Sequence, residues 1–344
     1  MRLRRVSVEG PGITRSRRAR GFHYRDARGR PVDGETRERI RALAIPPAWT
    51  DVWISPDPHG HIQAVGTDAA GRRQYRYHDA WRVRRDAEKF DRMIAFAKTL
   101  PRLRRRVSAD LRRRGVPREK ALACAVRLMD RAFFRIGSEE YASRNGSFGL
   151  ATLRKEHVRV DGERVRFDFA AKGGARRVEE VRDAALARAV AAMKRRRSGG
   201  DELLAYLDGD EGWRDVRSAD INAYLREIAG DGFSAKDFRT WHATVLAAVS
   251  LAGRDPGRAS TSASLRREVA AAVREVAEYL GNTPAVARAS YVDPRVVDRY
   301  ERGETIAKVL RRTPVAGRPG DVDRERIERA VLDLISEEPT ARAA

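Results

Sequence analysis

Residues 157–169, HVRVDGERVRFDF, decide the fold class of this chain. Valines alternate with charged residues up to the two-residue turn Asp161–Gly162, and apolar residues alternate again after it as far as Phe169. Period-two alternation on both sides of such a turn predicts a β-hairpin with one apolar face. If the second strand continues to Lys172, that lysine lies on its solvent-facing side, beside Gly173–Gly174.

Helical patterns lie on both sides of this hairpin. Before it, apolar residues recur at helical spacing from Leu122 to Ile136, and Gly137 is predicted to end that helix. Arg135 then lies opposite the apolar stripe and faces out of the core. After the hairpin, the pattern predicts helices over residues 177–197, 219–229, 235–252, 263–280, 284–291, 294–312 and 323–337.

Several helix starts carry capping signals. Ser234 followed three residues later by Asp237 is a capping-box pattern, which puts Arg239 in the second turn of the new helix. Thr283–Pro284 and Asp293–Pro294 each combine a capping side chain with a proline at the first helical position. Arg239 is therefore predicted near a helix N-terminus, where the backbone dipole favours anions.

The first part of the chain differs from the rest. Up to about residue 81 there is no sustained helical period, and the short β-type runs Asp51–Ser55 and His61–Val65 are separated by a turn at His59–Gly60. The first twenty residues are either a disordered arm or an added strand. The sequence thus predicts an α+β protein with a small β-rich N-terminal domain, 1–81, and a larger, mainly helical domain, 82–344, that contains the hairpin.

Charge points to a polyanionic partner. The 344 residues carry a formal charge of +22, which corresponds to a pI near 10.9. The excess is greatest in residues 1–30, with ten arginines against two acids, and in residues 82–120, with fifteen basic residues against five acids. A single run of this kind is often only a solvated surface. Together they indicate phosphate contacts on nucleic acid rather than on a membrane, because these segments lack an opposing apolar face.

The sequence lacks the motifs that are typical of several classes of function. No apolar run approaches the length of a membrane span, and no secretory signal or lipidation motif is found, so we expect an intracellular protein. The one cysteine, Cys124, lies in an apolar stretch and is expected to be buried and inert. There is no phosphate-binding loop for ATP, and the histidines are scattered, so we expect no nucleotide cofactor and no metal. Phosphodiester chemistry would then need a nucleophilic side chain, cations around the phosphorus and an acid for the leaving oxygen.

A set of segments in fixed order resembles a known family. The segments are IPPAW at 45–49, DAAGRRQYRYH at 68–78, FFRIGSEEY at 133–141, FDFAAKG at 167–173, KDFRTW at 236–241 and NTPAVARASYVDP at 282–294. Through them the chain resembles the type IB DNA topoisomerases, in particular the compact bacterial and poxvirus form. The resemblance extends from about residue 20 to about residue 305.

The resemblance implies roles for five residues. Tyr291 corresponds to the nucleophile, Arg135 and Arg239 to the two arginines that stabilise the transition state, and Lys172 to the general acid. Asn282, nine residues before the tyrosine, takes the position of a histidine that is common in eukaryotic and viral members. A neutral amide can donate a hydrogen bond to a phosphate oxygen but supplies neither charge nor a proton.

The resemblance also implies an activity and its partners. Such enzymes relax supercoiled DNA by nicking one strand through a 3′-phosphotyrosyl intermediate, letting the strand rotate and resealing it, without ATP or metal. The N-terminal segment implies DNA contacts by Gln74, Tyr75 and Tyr77. The expected protein is a monomer that clamps round double-stranded DNA in the cytoplasm, at the nucleoid, with no membrane partner.

Two alternatives stay open from the sequence. A tyrosine recombinase uses related chemistry, but it places a histidine three residues before the second arginine, where this chain has Lys236, and it lacks the segments at 45–49 and 68–78. A nonenzymatic basic DNA-binding protein would account for the charge but not for the ordered motifs.

Overall fold

The structure is a computed structural model that describes residues 2–18, 21–254, 261–312 and 321–336. The chain forms two compact units, Met1–Lys89 and Phe90–Ala344, and each is described by itself. Within the described ranges, no helix is long and apolar enough to cross a membrane.

The first unit is a five-stranded antiparallel sheet with one helix. Its elements are β1 (Ile13–Arg18), β2 (Gly21–Arg25), α1 (Gly34–Ala42), β3 (Thr50–Ile54), β4 (Ile62–Thr67) and β5 (Arg73–Tyr77), in the sheet order β2-β1-β3-β4-β5. The two predicted β runs are confirmed as β3 and β4. The N-terminal residues contribute an interior strand, β1, although residues 19 and 20 lie outside the described residues. Ile13, Ile40 and Ile54 are buried in the core between sheet and helix.

Helices make up most of the second unit, and their bounds locate the motifs. They are α2 (Asp79–Leu111, which begins in the first unit), α3 (Arg118–Ala132), α4 (Glu139–Asn145), α5 (Ala184–Lys194), α6 (Ser218–Ala229), α7 (Ala235–Ala252), α8 (Ser262–Leu280), α9 (Pro284–Ser290), α10 (Pro294–Glu301), α11 (Ala307–Leu310) and α12 (Asp321–Ser336). One continuous apolar core joins most of them, with Phe96, Phe167 and Trp241 fully buried.

Two small sheets complete this unit. The three-stranded sheet is β6 (Val158–Asp161), β7 (Arg164–Ala170) and β8 (Arg176–Arg182), and the two-stranded sheet is β9 (Ala205–Leu207) with β10 (Trp213–Asp215). Strands β6 and β7 are the predicted hairpin, and Phe167 and Phe169 point into the core as expected. The α+β fold class is confirmed.

Strand β8 corrects the prediction of a helix over 177–197. Residues 176–182 pair with β7 along its whole length, and the helix α5 begins only at Ala184, capped by the Asp183 side chain. Val178 and Val181 are spaced as on one helix face, which favours a helix in isolation. In the sheet they lie on opposite faces, with Val178 exposed and Val181 buried. Pairing with β7 therefore overrides the local pattern.

Two other helix predictions also need correction. The helix α3 ends at Ala132, not at Gly137, because Phe133 adopts the left-handed conformation with φ of +56°. Arg135 thus lies on an irregular segment, and its direction does not follow from a helical face. The predicted helix 294–312 is interrupted near Gly303, where φ is +84°, and forms α10 and α11. Residue 337, the end of the predicted last helix, lies outside the described residues.

The segment that carries Arg135 is held by a close backbone contact. A Cβ added to Gly149 would lie 2.3 Å from the Cα of Gly137, whose own φ is +82°. The backbone N–H of Leu150 donates to the carbonyl of Arg135 at 2.9 Å. Because both glycines lack a side chain, the two backbone segments can touch and fix the path of residues 135–137.

We expect Gly149→Ala to destabilise the protein. Its methyl group would be forced against the backbone of Gly137, and overpacking of this kind costs about 1–3 kcal/mol in the free energy of unfolding. The matched control is Gly232→Ala, since a Cβ built there meets nothing within 4 Å. Thermal unfolding checks the expectation, and equal Tm values for the two variants would contradict it.

Candidate active site

The C-terminal end of α8 is the centre of the site. Gly281, with φ of +61°, ends this helix and leaves backbone carbonyls without helical partners. Arg135 Nη2 donates to the carbonyl of Gly281 at 2.7 Å, and Arg239 Nη2 donates to the carbonyl of Leu280 at 3.0 Å. These carbonyls are the negative end of the helix dipole, so they attract and orient both guanidinium groups.

Arg239 is placed by the start of α7 and by burial. The backbone N–H of Ser234 donates to the Asp237 carboxylate at 2.9 Å, which confirms the acidic half of the predicted capping box and puts Arg239 in the second turn. The residue is only 5% exposed, and its Nη1 donates to the carbonyl of Phe133 at 3.3 Å. The helix start thus aims a buried guanidinium at the end of α8.

The environment of Arg239 is electrostatically unfavourable for a cation. Burial lowers the pKa of Arg239 to about 10, and the nearby charge of Arg135 acts in the same direction. In the part of the chain that the structure describes, Arg239 has no carboxylate ion pair. It still carries its proton at neutral pH. Two cations held together in this way favour the binding of an anion between them.

Tyr291 lies beside Arg239. The helix α9 ends at Ser290, one residue earlier than predicted, and the backbone N–H of Tyr291 donates to the carbonyl of Ala287 at 3.0 Å. Thr244, on α7, donates through its hydroxyl to the carbonyl of Tyr291 at 3.3 Å. The ring is half-buried, and its centre lies 5.3 Å from the guanidinium carbon of Arg239.

Asn282 completes this group of residues and keeps a free donor. Its Oδ1 accepts from Arg135 Nη2 at 2.5 Å. Because a guanidinium only donates, the oxygen of the amide must face Arg135, and the NH2 group faces the other way. That NH2 nitrogen is buried and has no hydrogen-bond partner among the described residues. An unpaired buried donor is costly, which indicates a site built to receive an acceptor.

Lys172 is not part of this group. Strand β7 ends at Ala170, so the strand does not reach the lysine. Lys172 lies instead on an exposed turn between β7 and β8, closed by a hydrogen bond from the Ala171 N–H to the carbonyl of Ala175 at 2.8 Å. Within the described residues no contact joins it to Arg135, Arg239, Asn282 or Tyr291. The structure therefore brings four of the five predicted residues together.

The sequence prediction missed one more cation near this site. Arg177, on β8, donates to the carbonyl of Ala132 at 3.0 Å and lies over the ring of Phe134 at 5.7 Å. Its charge also contributes to the lowered pKa of Arg239. Because residues 177–182 were predicted to be helical, nothing in the sequence pattern directed Arg177 towards this site.

The three N-terminal candidates lie on the edge strand β5. Tyr75 and Tyr77 are each 40% exposed, and their rings are stacked with centres 5.9 Å apart. Gln74 points to the other face, where its amide donates to Asp68 at 2.9 Å. Two exposed aromatic rings therefore stand together on one face of the first unit.

Residues that could bind a metal ion are not grouped together in the described ranges. These ranges contain no group of three or more His, Cys, Asp or Glu residues that could hold a metal ion. Cys124 is fully buried on α3, and burial raises the pKa of its thiol.

Comparisons with known proteins cover both units. A family described as "Eukaryotic DNA topoisomerase I, catalytic core" matches residues 78–312, and one described as "Bacterial DNA topoisomerase IB, N-terminal domain" matches residues 21–68. DNA topoisomerase 1B of Acanthamoeba polyphaga mimivirus is 32% identical over 269 residues, covering 77% of this chain and 80% of that protein.

More distant relatives match shorter parts. DNA topoisomerase 1B of vaccinia virus (strain Copenhagen) is 23% identical over 41% of this chain and 46% of its own length. DNA topoisomerase 1 of Daucus carota is 28% identical over 37% of this chain and 15% of its own length.

Proposed function

This chain belongs to the type IB DNA topoisomerases, and we propose that Tyr291 is the nucleophile of its reaction. The observation that supports this best is the group formed at the end of α8, where Arg239 lies against the Tyr291 ring and Arg135 holds Asn282. A phosphate placed among these groups would meet two guanidinium groups, one amide donor and one phenol.

In the proposed reaction one ester replaces another. The Tyr291 phenol releases its proton to water and its oxygen bonds to a backbone phosphorus, while the bond from that phosphorus to the 5′-oxygen breaks and that oxygen takes up a proton. The products are a 3′-phosphotyrosine and a strand with a free 5′-hydroxyl. Because the bond energy is retained in the new ester, resealing needs no ATP. While the nick is open, the free strand rotates and the superhelical tension is relaxed.

The cations stabilise the transition state in this scheme. Arg135 and Arg239 present planar groups of donors to the nonbridging oxygens, and the free NH2 of Asn282 adds one more hydrogen bond. All three are held by the carbonyls or side chains around the end of α8 before DNA arrives. In many enzymes, preorganised donors of this kind make the largest single contribution to stabilising the transition state.

The amide of Asn282 can be tested by two substitutions. We expect Asn282→Ala to slow single-turnover cleavage by about 10- to 100-fold, the value of one hydrogen bond to a charged group. Asn282→Asp should be slower still, because a carboxylate can accept from Arg135 but repels the phosphate. Cleavage by Asn282→Asp as fast as by Asn282→Ala would contradict this role.

Lys172 is proposed as the acid that protonates the leaving 5′-oxygen. We expect Lys172→Ala to slow cleavage by about 10²-fold, the lower end for general acid catalysis, because water can partly replace an exposed lysine. A DNA substrate with sulfur in place of the 5′-bridging oxygen at a mapped cleavage site should restore the cleavage rate of Lys172→Ala, since a thiolate leaves without a proton.

The control for Lys172 is the exposed Lys98, on α2. Lys98→Ala removes the same charge and should cleave both substrates at the wild-type rate when the enzyme is saturating. Loss of cleavage by Lys172→Ala on the sulfur substrate as well would rule out the acid role.

Double-stranded DNA is the partner, and the domain 1–81 clamps it, with Tyr75, Tyr77 and Gln74 in contact, while 82–344 carries the reaction. The protein acts as a monomer, without metal or nucleotide cofactor, in the cytoplasm at the nucleoid. Most of the +22 charge then serves phosphate contacts that do not depend on base sequence.

The experiment is relaxation of a supercoiled plasmid by the full chain with a chelator present and no ATP. Relaxation through a ladder of topoisomers is expected. A strict requirement for magnesium or ATP would contradict the mechanism. A plasmid that is bound but stays supercoiled would identify a nonenzymatic binder, and recombinant products between two plasmids would identify a recombinase.

A further inference from the structure

The C-terminal helix α12 is held in the second unit by a buried network of ion pairs. Arg104, on α2, contacts Asp130 at 3.0 Å and Glu328 at 2.7 Å. Arg324 contacts the same two carboxylates at 2.7 Å and 2.9 Å. The side chains of Asp130 and Glu328 are only 7% and 8% exposed. The two arginines and two carboxylates balance in charge.

Such a network has a positional role more than a stabilising one. Removing charges from water costs several kcal/mol per ion, so buried ion pairs often contribute no more stability than an apolar cluster of the same size. What they provide is a defined geometry, because each of the four carboxylate oxygens here accepts from one or two particular arginine nitrogens. Arg324 and Glu328 therefore fix the register of α12 against α2 and α3.

The network continues to α7 through His242. Arg324 Nη2 lies 3.0 Å from His242 Nε2, and His242 is only 2% exposed. The same nitrogen of His242 lies 3.6 Å from Oδ1 of Asp130, so the ring contacts both the cation and a carboxylate of the network. Burial lowers the pKa of His242, which agrees with a neutral ring. His242 lies on the same helix as Arg239, three residues further on.

His242 in turn packs against Phe133, the residue with strained backbone near the two arginines. Its ring centre is 4.2 Å from that of Phe133, and Tyr279 packs against Phe133 at 4.7 Å. A φ of +56° is unfavourable for an aromatic residue and persists only where neighbours hold it. The carbonyl of Phe133 accepts from Arg239, and Arg135 follows two residues later. The position of Phe133 therefore affects both arginines.

We propose that α12 is part of the active site, with Arg324 and Glu328 as positioning residues that act through His242 and Phe133 on Arg135 and Arg239. This helix lies beyond residues 78–312, where the catalytic-core family matches. The inference rests on the proposed function, since it assumes that the two arginines bind the reacting phosphate.

The test is Arg324→Gln in the full chain. The matched control is Arg326→Gln, which removes the same charge from an exposed position on the same helix. We expect Arg324→Gln to slow single-turnover formation of the covalent complex by about tenfold to a hundredfold, since misplacement by ~1 Å can cost a factor of about 10². Its DNA affinity should stay within twofold of wild type, and Arg326→Gln should react as wild type does.

Two further measurements separate positioning from folding. Thermal unfolding shows whether Arg324→Gln is folded at the assay temperature, and a rate that falls only with the folded fraction would overturn the proposal. His242→Asn keeps a polar group near Arg324 but removes the ring that packs on Phe133, so it should slow the reaction similarly. In the His242→Asn background, Arg324→Gln should have little further effect, and additive losses would contradict the pathway.

The outcome also distinguishes this inference from the proposed function. If the wild type forms no covalent complex, the proposed function fails, whatever α12 does. If the wild type reacts and Arg324→Gln reacts equally fast, only the inference about α12 is overturned.

Discussion

Tyr291→Phe is expected to abolish strand cleavage while leaving the fold and the DNA affinity unchanged. The substitution removes one oxygen and keeps the ring beside Arg239, so the packing of the site is preserved. Without a nucleophile no 3′-phosphotyrosine forms, and the rate falls below detection rather than by a finite factor. The measurement is the yield of protein–DNA covalent complex trapped with detergent, alongside the DNA dissociation constant.

The control for this prediction is another half-buried tyrosine. Tyr206, on β9, packs against the core outside the site, and Tyr206→Phe should form the covalent complex at the wild-type rate. A covalent complex formed by Tyr291→Phe would show that another residue attacks the phosphorus, and the assignment of the nucleophile would then be wrong.

Arg239→Gln is expected to lower the cleavage rate by about 10²–10³-fold, the usual cost of one oxyanion-stabilising donor. Arg239→Lys should restore little of this, because an ammonium cannot bond the carbonyls of Leu280 and Phe133 and a phosphate in one plane. DNA affinity should change little, since most of it comes from other phosphate contacts. Single-turnover cleavage at saturating enzyme provides the measurement.

We do not expect the stability of Arg239→Gln to fall with its cleavage rate. The pKa of Arg239 is lowered to about 10, so the folded state disfavours the charged form, and the cation costs stability at every pH below that value. Removing the charge should leave the Tm unchanged or raise it. Loss of activity with a raised Tm is the pattern of a site that sacrifices stability for function. A variant that loses activity only because it unfolds would contradict this account.

The sequence predicted the local structure around the proposed catalytic residues more reliably than the path of the chain between them. The capping signals at Ser234 and at Thr283 are local, and the structure places α7 and α9 where those signals predict. The turn Asp161–Gly162 is equally local, and the hairpin follows from it. Where neighbouring residues decide the structure, prediction from the sequence succeeded.

The missed features depend on contacts between distant segments. Strand β8 exists because β7 offers it a partner, although its valines are spaced as in a helix. The break at Phe133 depends on packing against His242 and Tyr279, which lie more than a hundred residues away along the chain. For the same reason, neither the contact of Arg177 with Ala132 nor the free amide of Asn282 could be predicted.

The most direct measurement is to map the covalent adduct between the full chain and a DNA duplex, formed with a chelator present and without ATP. After digestion, mass spectrometry should find one nucleotide phosphate on Tyr291, joined to the 3′ end of the cleaved strand, while the other strand end carries a 5′-hydroxyl. An adduct on a different residue, or one joined to a 5′ phosphate, would contradict the proposed mechanism.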